Sequence, residues 1–102
     1  MTSYRLIADP RAERDVEAAF AWYEQERPGL GAQFLKELRT AYARVIDGPL
    51  RYQILRSDVR HVLVRRFPYA AYFIVEGEVV QVIAVLHTSR DPSVWQRRRD
   101  EL

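Results

Sequence analysis

His87, Arg90 and Trp95 stand close together near the C-terminal end of the chain, and they bring an imidazole, a guanidinium and an indole to one short stretch. Arg60 and Arg66 lie upstream. Cleavage of RNA by its own 2′-hydroxyl needs a group to take that proton, cations for the charge developing on phosphorus, and an acid for the leaving 5′-oxygen. A histidine and arginines are the residue types for those tasks, and an indole stacks on a base for about 1–3 kcal/mol. The same side chains also fit a plainer role, a hydrogen-bonded loop beneath a core lid. With no cysteine and two histidines in 102 residues, a thiol nucleophile, a disulfide framework and a thiolate zinc site are excluded and an all-protein metal site is not expected. No cofactor and no small-molecule substrate are expected, so any catalysis rests on His87 and the arginines.

Charge is unevenly placed. Sixteen basic against fourteen acidic residues give a net charge of +2. Residues 1–50 carry a net −1 and residues 51–102 a net +3, so the basic half is the C-terminal one. Lys36 is the only lysine; a GC-rich genome accounts for that ratio but not for the clustering. Arginine suits bidentate contact with phosphate or carboxylate. At 48% hydrophobic and 29% charged residues, the chain is expected to fold as one domain over residues 1–102. Lacking a long apolar run or a signal-peptide pattern, it is expected to be cytoplasmic and not membrane-bound.

The elements that must position these side chains follow from hydrophobic period. Tyr4 to Ala8 alternates as a short strand, and Asp9-Pro10 supplies a cap followed by a proline at the first helical position. Ala12, Val16, Ala19, Phe20 and Tyr23 form one helical stripe, with Trp22 off it, facing a partner or a second core contact. Pro28-Gly29 ends this helix. Phe34, Leu35, Leu38, Ala41, Tyr42, Val45 and Ile46 mark a second helix, stopped by Asp47-Gly48-Pro49, and the short connection predicts an antiparallel hairpin. A weak strand at Tyr52 to Leu55 precedes strands at Val59 to Phe67, Tyr69 to Val75 and Val79 to Leu86, the last three forming an antiparallel meander. Asp91-Pro92 opens a short final helix through Val94, Trp95 and Arg98. The predicted class is α+β: a strand, a two-helix hairpin, an antiparallel meander of three to four strands and a short C-terminal helix.

Period-two alternation sorts the strand residues by face. Arg60, Val62, Val64 and Arg66 share one face of the third strand, and His61, Leu63, Arg65 and Phe67 the other. In the last strand Val80, Val82, Ala84 and Leu86 share one side, and Val79, Gln81, Ile83, Val85 and His87 the other. His61 is assigned no role.

Asp15 with Trp22-Tyr23, Pro28-Gly29-Leu30-Gly31 with Phe34 and Leu38, Arg66-Phe67-Pro68-Tyr69 with Tyr72, and His87-Thr88-Ser89-Arg90-Asp91-Pro92 with Trp95 and Arg98 run over nearly the whole chain. In this arrangement the sequence resembles the RelE/ParE superfamily of bacterial type II toxin–antitoxin systems, often labelled plasmid stabilisation proteins. The resemblance implies a growth-inhibiting toxin neutralised by a cognate antitoxin whose C-terminal segment wraps around it. RelE-like members cut mRNA in the ribosome, whereas ParE-like members poison DNA gyrase without catalysis.

Carried over residue by residue, the ribonuclease reading makes His87 an acid or base and Arg60, Arg66 and Arg90 phosphate ligands. Contacts to nucleic acid or another target would come from Arg60, Arg65, Arg66, Arg90, Trp95 and Arg98. Two departures weigh against it. Trp95 stands nearest to where those enzymes often keep a catalytic tyrosine or histidine, and an indole exchanges no proton at neutral pH; the lysine-rich stretch of some members is also missing. ParE-like binding of gyrase is therefore the leading expectation, a RelE-like ribonuclease the alternative, and a non-toxic relic that only binds its antitoxin the third.

Overall fold

The structure is a computed structural model that describes residues 3–102. Strand β1 (Arg5–Ala8) leads into α1 (Pro10–Glu26) and α2 (Leu30–Asp47), then a 3-10 turn at Pro49–Arg51. Strands β2 (Ile54–Arg56), β3 (Val59–Leu63), β4 (Tyr69–Glu76) and β5 (Val79–His87) follow, and α3 (Ser93–Asp100) closes the chain. The sheet order is β1-β5-β4-β3-β2, with β2 to β5 antiparallel and β1 parallel to β5. The α+β class, the hairpin, the meander and the terminal helix are as the sequence predicts. The parallel addition of β1, which makes the sheet five-stranded, is a long-range pairing that no local pattern encodes.

Local chemistry explains the hairpin. Asp9 caps α1 by accepting the Arg11 amide at 2.8 Å, with Pro10 pre-set for the first turn. Glu24 reaches across to the start of α2, its carboxylate accepting the amides of Gly31 at 2.8 Å, Gly29 at 3.1 Å and Ala32 at 3.3 Å. An acidic side chain from one helix thus satisfies the orphan donors of the next and complements its positive end. Gly31 is required by closeness: a Cβ there would lie 2.7 Å from the Phe20 carbonyl oxygen. Gly29, at φ 89°, makes the left-handed turn that joins the helices.

The hairpin covers one face of the sheet, and α3 lies on the other. Phe34 and Phe73, both fully buried, sit in the core beneath the hairpin, where truncation of either to alanine costs about 3–5 kcal/mol. Phe67 and Tyr69 of the Phe-Pro-Tyr turn pack edge-on to Phe34 at ring separations of 5.4 and 5.1 Å. That motif therefore anchors the β3–β4 connection in the core.

Three predicted boundaries change. Strand β2 begins at Ile54 and not at Tyr52. Strand β3 stops at Leu63, because Val64 to Pro68 turn, with Arg66 at φ 72°. In β5 the pairing shifts from Tyr72↔Ala84 to Phe73↔Val82, leaving Ile83 as an extra residue. This bulge flips the phase of alternation: Val80, Val82 and Val85 all join the hairpin-side core, while Ile83, Ala84 and Leu86 join the α3-side core. No helix of the described residues is long and apolar enough to cross a membrane.

Candidate functional site

Most of the arginines proposed from the sequence are held by the protein itself. Arg60 points to the hairpin side, where its guanidinium donates to the carbonyls of Tyr52 at 2.6 Å and Leu50 at 3.2 Å. It pins the loop before β2 and is not presented as a phosphate ligand. Arg66 lies 3.7 Å from Glu37 of α2. Arg98 is committed most firmly, making two hydrogen bonds to Asp15 at 2.6 and 3.0 Å with both side chains about 15% exposed or less. Arg65 is exposed in the β3–β4 turn.

The Asp15–Arg98 pair has a structural cause. Strand β1 covers β5 only from Val79 to Val82, so the bulge and the residues after it have no strand neighbour on that side. Arg98 donates to the Ile83 carbonyl at 3.1 Å, and Asp15 accepts the Val85 amide at 3.0 Å. The pair clamps α1 to α3 around an open sheet edge and satisfies backbone groups that would otherwise be orphaned.

Trp95 is likewise removed from the role of an open stacking platform. It is 6% exposed and stacks on Tyr72 at 5.2 Å and 13°, with His61 on the same tyrosine at 6.0 Å and 21°. Burial lowers the His61 pKa and raises that of Tyr72, because each ring is least costly to bury uncharged. Beside this stack an open cleft of about 530 Å³ is lined by Arg56, His61, Leu63, Tyr72 and Gln96, among others. Arg56 donates to Gln96 at 2.7 Å. Sequence reasoning overlooked Arg56 and His61 here, although alternation did put His61 opposite Arg60.

His87 and Arg90 are on the other side of the sheet. The bulge turns His87 toward α1, where it packs edge-on to Tyr69 at 5.5 Å. Its Nδ1 accepts the Ser89 amide at 3.0 Å, which assigns the proton of the neutral ring to Nε2. Tyr69, Trp22, Asp15, His87 and Arg90 line a second cleft between α1 and the end of β5. Burial raises the Tyr69 pKa, Arg90 opposing and Asp15 adding to that shift. Trp22 is 56% exposed. Asp91 organises the loop below by accepting the Ser93 amide at 2.8 Å, which holds its carboxyl below the usual range.

This fold recurs among bacterial toxins. The chain superposes on a chain of the chromosomal ParDE toxin–antitoxin system from P. aeruginosa with a TM-score of 0.73 at 18% identity, covering 83% of this chain and 96% of that one. A double arginine-to-alanine mutant of E. coli RelE in the free state gives 0.72 at 19% identity and 99% coverage of both chains. The same mutant in complex with an antitoxin RelB peptide gives 0.62 at 21% identity, with 94% of each chain covered. The architecture is thus that of the RelE/ParE superfamily of toxins. Comparison of the sequence with curated proteins finds no match. The family model described as the ParE toxin of the type II toxin–antitoxin system, parDE, matches residues 6–92, and the chain belongs to that family.

Proposed function

We propose that this toxin acts as ParE-like members do, by binding DNA gyrase without catalysis, and that a cognate antitoxin neutralises it. The observation that carries this reading is the dispersal of the groups offered for RNA cleavage. Arg60 and Arg66 are engaged on the hairpin side, Trp95 is buried on the α3 side, and His87 and Arg90 line a cleft against α1. General acid–base cleavage needs its base, acid and phosphate ligands within hydrogen-bond reach of one phosphate. Match to the ParE family model supports the same branch.

A supercoiling assay with purified gyrase tests the proposal. Inhibition by the toxin, relieved by the antitoxin, is the expected result; undiminished supercoiling at excess toxin speaks against it. The cleft holding Arg56, His61 and Tyr72 favours a second reading as a ribosome-dependent mRNA endonuclease. In that case cell-free translation followed by primer extension returns cut messages, and His61→Gln abolishes the cuts. A non-toxic relic would leave growth unchanged on induction without antitoxin.

For the antitoxin we propose the groove lined by Ala8, Val16, Leu35 and Tyr42, which Glu13 and Arg39 flank. An amphipathic segment would lay its apolar side there and meet both charges at the rim. Leu35→Glu should abolish co-purification with the antitoxin while leaving the chain folded.

A further inference from the structure

The cleft between α1 and the end of β5 is built almost wholly of donors that nothing in the molecule uses. Among the described residues the Arg90 guanidinium has no carboxylate within ion-pair distance. His87 presents Nε2–H, since its Nδ1 is occupied by Ser89, and its ring is steadied by Tyr69. Trp22 stands exposed at the mouth and packs edge-on to Tyr23 at 5.1 Å. From this inner cleft an outer hollow continues over Trp22, Tyr23, Pro68, Tyr69 and His87.

The sheet edge in the cleft floor adds a second kind of recognition. Past Val82, β5 has no neighbouring strand on the β1 side, and Asp15 already takes the Val85 amide as a strand partner would. Strand alternation turns the Val85 carbonyl and the His87 amide to the same open side. A free backbone acceptor and donor between two aromatic walls suit an extended peptide. Arg90 and His87 then suit a carboxylate on it. A nucleic-acid strand fits less well: there is one unpaired guanidinium, and Asp15 lines the wall, whereas backbone binding needs several cations in register.

We propose that this cleft binds a carboxylate-bearing extended peptide segment of the toxin's protein target, with Arg90 and His87 on the carboxylate and Trp22 and Tyr69 against the chain. The proposal rests on the reading of the toxin as a protein binder. The carboxylate comes from a chain terminus or from an acidic side chain, and the test separates the two.

The indole NH resonances of Trp22 and Trp95 in the full chain provide the readout, assigned with Trp22→Phe. Three probes are titrated: an acetylated alanine hexapeptide with a free C-terminus, the same peptide amidated with one internal aspartate, and the amidated all-alanine peptide. At least one acidic peptide should move the Trp22 resonance and leave Trp95 still, and the neutral peptide should bind at least fivefold more weakly. The tighter of the two acidic peptides identifies the source of the carboxylate. Arg90→Gln, at an exposed loop position, should remove that preference. Equal binding of acidic and neutral peptides overturns the proposal, as does tighter binding of uridine 5′-monophosphate or an Arg90→Gln chain that keeps its preference. Since the titration makes no use of gyrase, its failure is distinct from a negative supercoiling assay.

Discussion

The two sides of the sheet use the same residue types for opposite ends. On the α3 side, Arg56 bonds Gln96, Arg99 holds Asp58 through two bonds of 2.7 and 3.0 Å, and Arg98 reaches Asp15. On the α1 side, at the end of β5, Arg90 has no such acceptor and His87 keeps one nitrogen free. The tryptophans divide in the same way, Trp95 at 6% exposure and Trp22 at 56%. The difference lies in surroundings. A guanidinium at a packed edge must be paired or its burial is costly, while one on an exposed loop keeps its water and remains available to a partner.

That contrast breaks first at Trp95. Trp95→Ala should cost about 3 kcal/mol in a urea titration, as a buried aromatic does; a loss below about 1 kcal/mol would mean that α3 is not packed as described. Next comes the clamp. Asp15→Ala leaves a poorly exposed guanidinium and the Val85 amide without their acceptor, a loss of about 2–3 kcal/mol. Adding Arg98→Met to Asp15→Ala should recover part of it, as a double-mutant cycle would measure.

The ring stack gives a pH test. Because burial holds the folded pKa of His61 below its ordinary 6.5, the unfolded chain binds the proton first as pH falls. Stability from neutral His61 is complete above 6.5 and declines as pH drops through the lowered folded value. His61→Phe should flatten the urea midpoint over that range. Asp58, whose carboxyl Arg99 holds below the usual range, loses its contribution only in stronger acid, so the two windows separate. The smallest effects belong to the cleft. Arg90→Ala and Trp22→Ala should each change stability by no more than about 0.5 kcal/mol. A larger loss would make those side chains structural and end the contrast.

Much of the frame was legible because it is local. Asp9-Pro10, Pro28-Gly29 and Asp47-Gly48-Pro49 mark helix ends through backbone restrictions that act within a few residues. Strand residues β-branched and aromatic enough to declare themselves formed the meander. The roles of Arg60, Trp95 and Arg98 were misread, since a guanidinium looks identical in sequence whether it meets a carbonyl, a carboxylate or solvent. Arg56 and His61 were overlooked because the cleft that joins them is closed by Gln96 and Tyr72 from other elements.

The sequence by itself determined the class of fold, the hairpin, the basic second half and the likeness to toxins, all of which rest on patterns over short stretches. Tertiary structure alone decided which arginines are spent and which are free. One extra residue in β5 turns His87 toward α1, and the early end of β1 leaves an edge that Asp15 and Arg98 must cover. Both effects arise where distant strands fail to match in length and register, and nothing within a single strand records that mismatch.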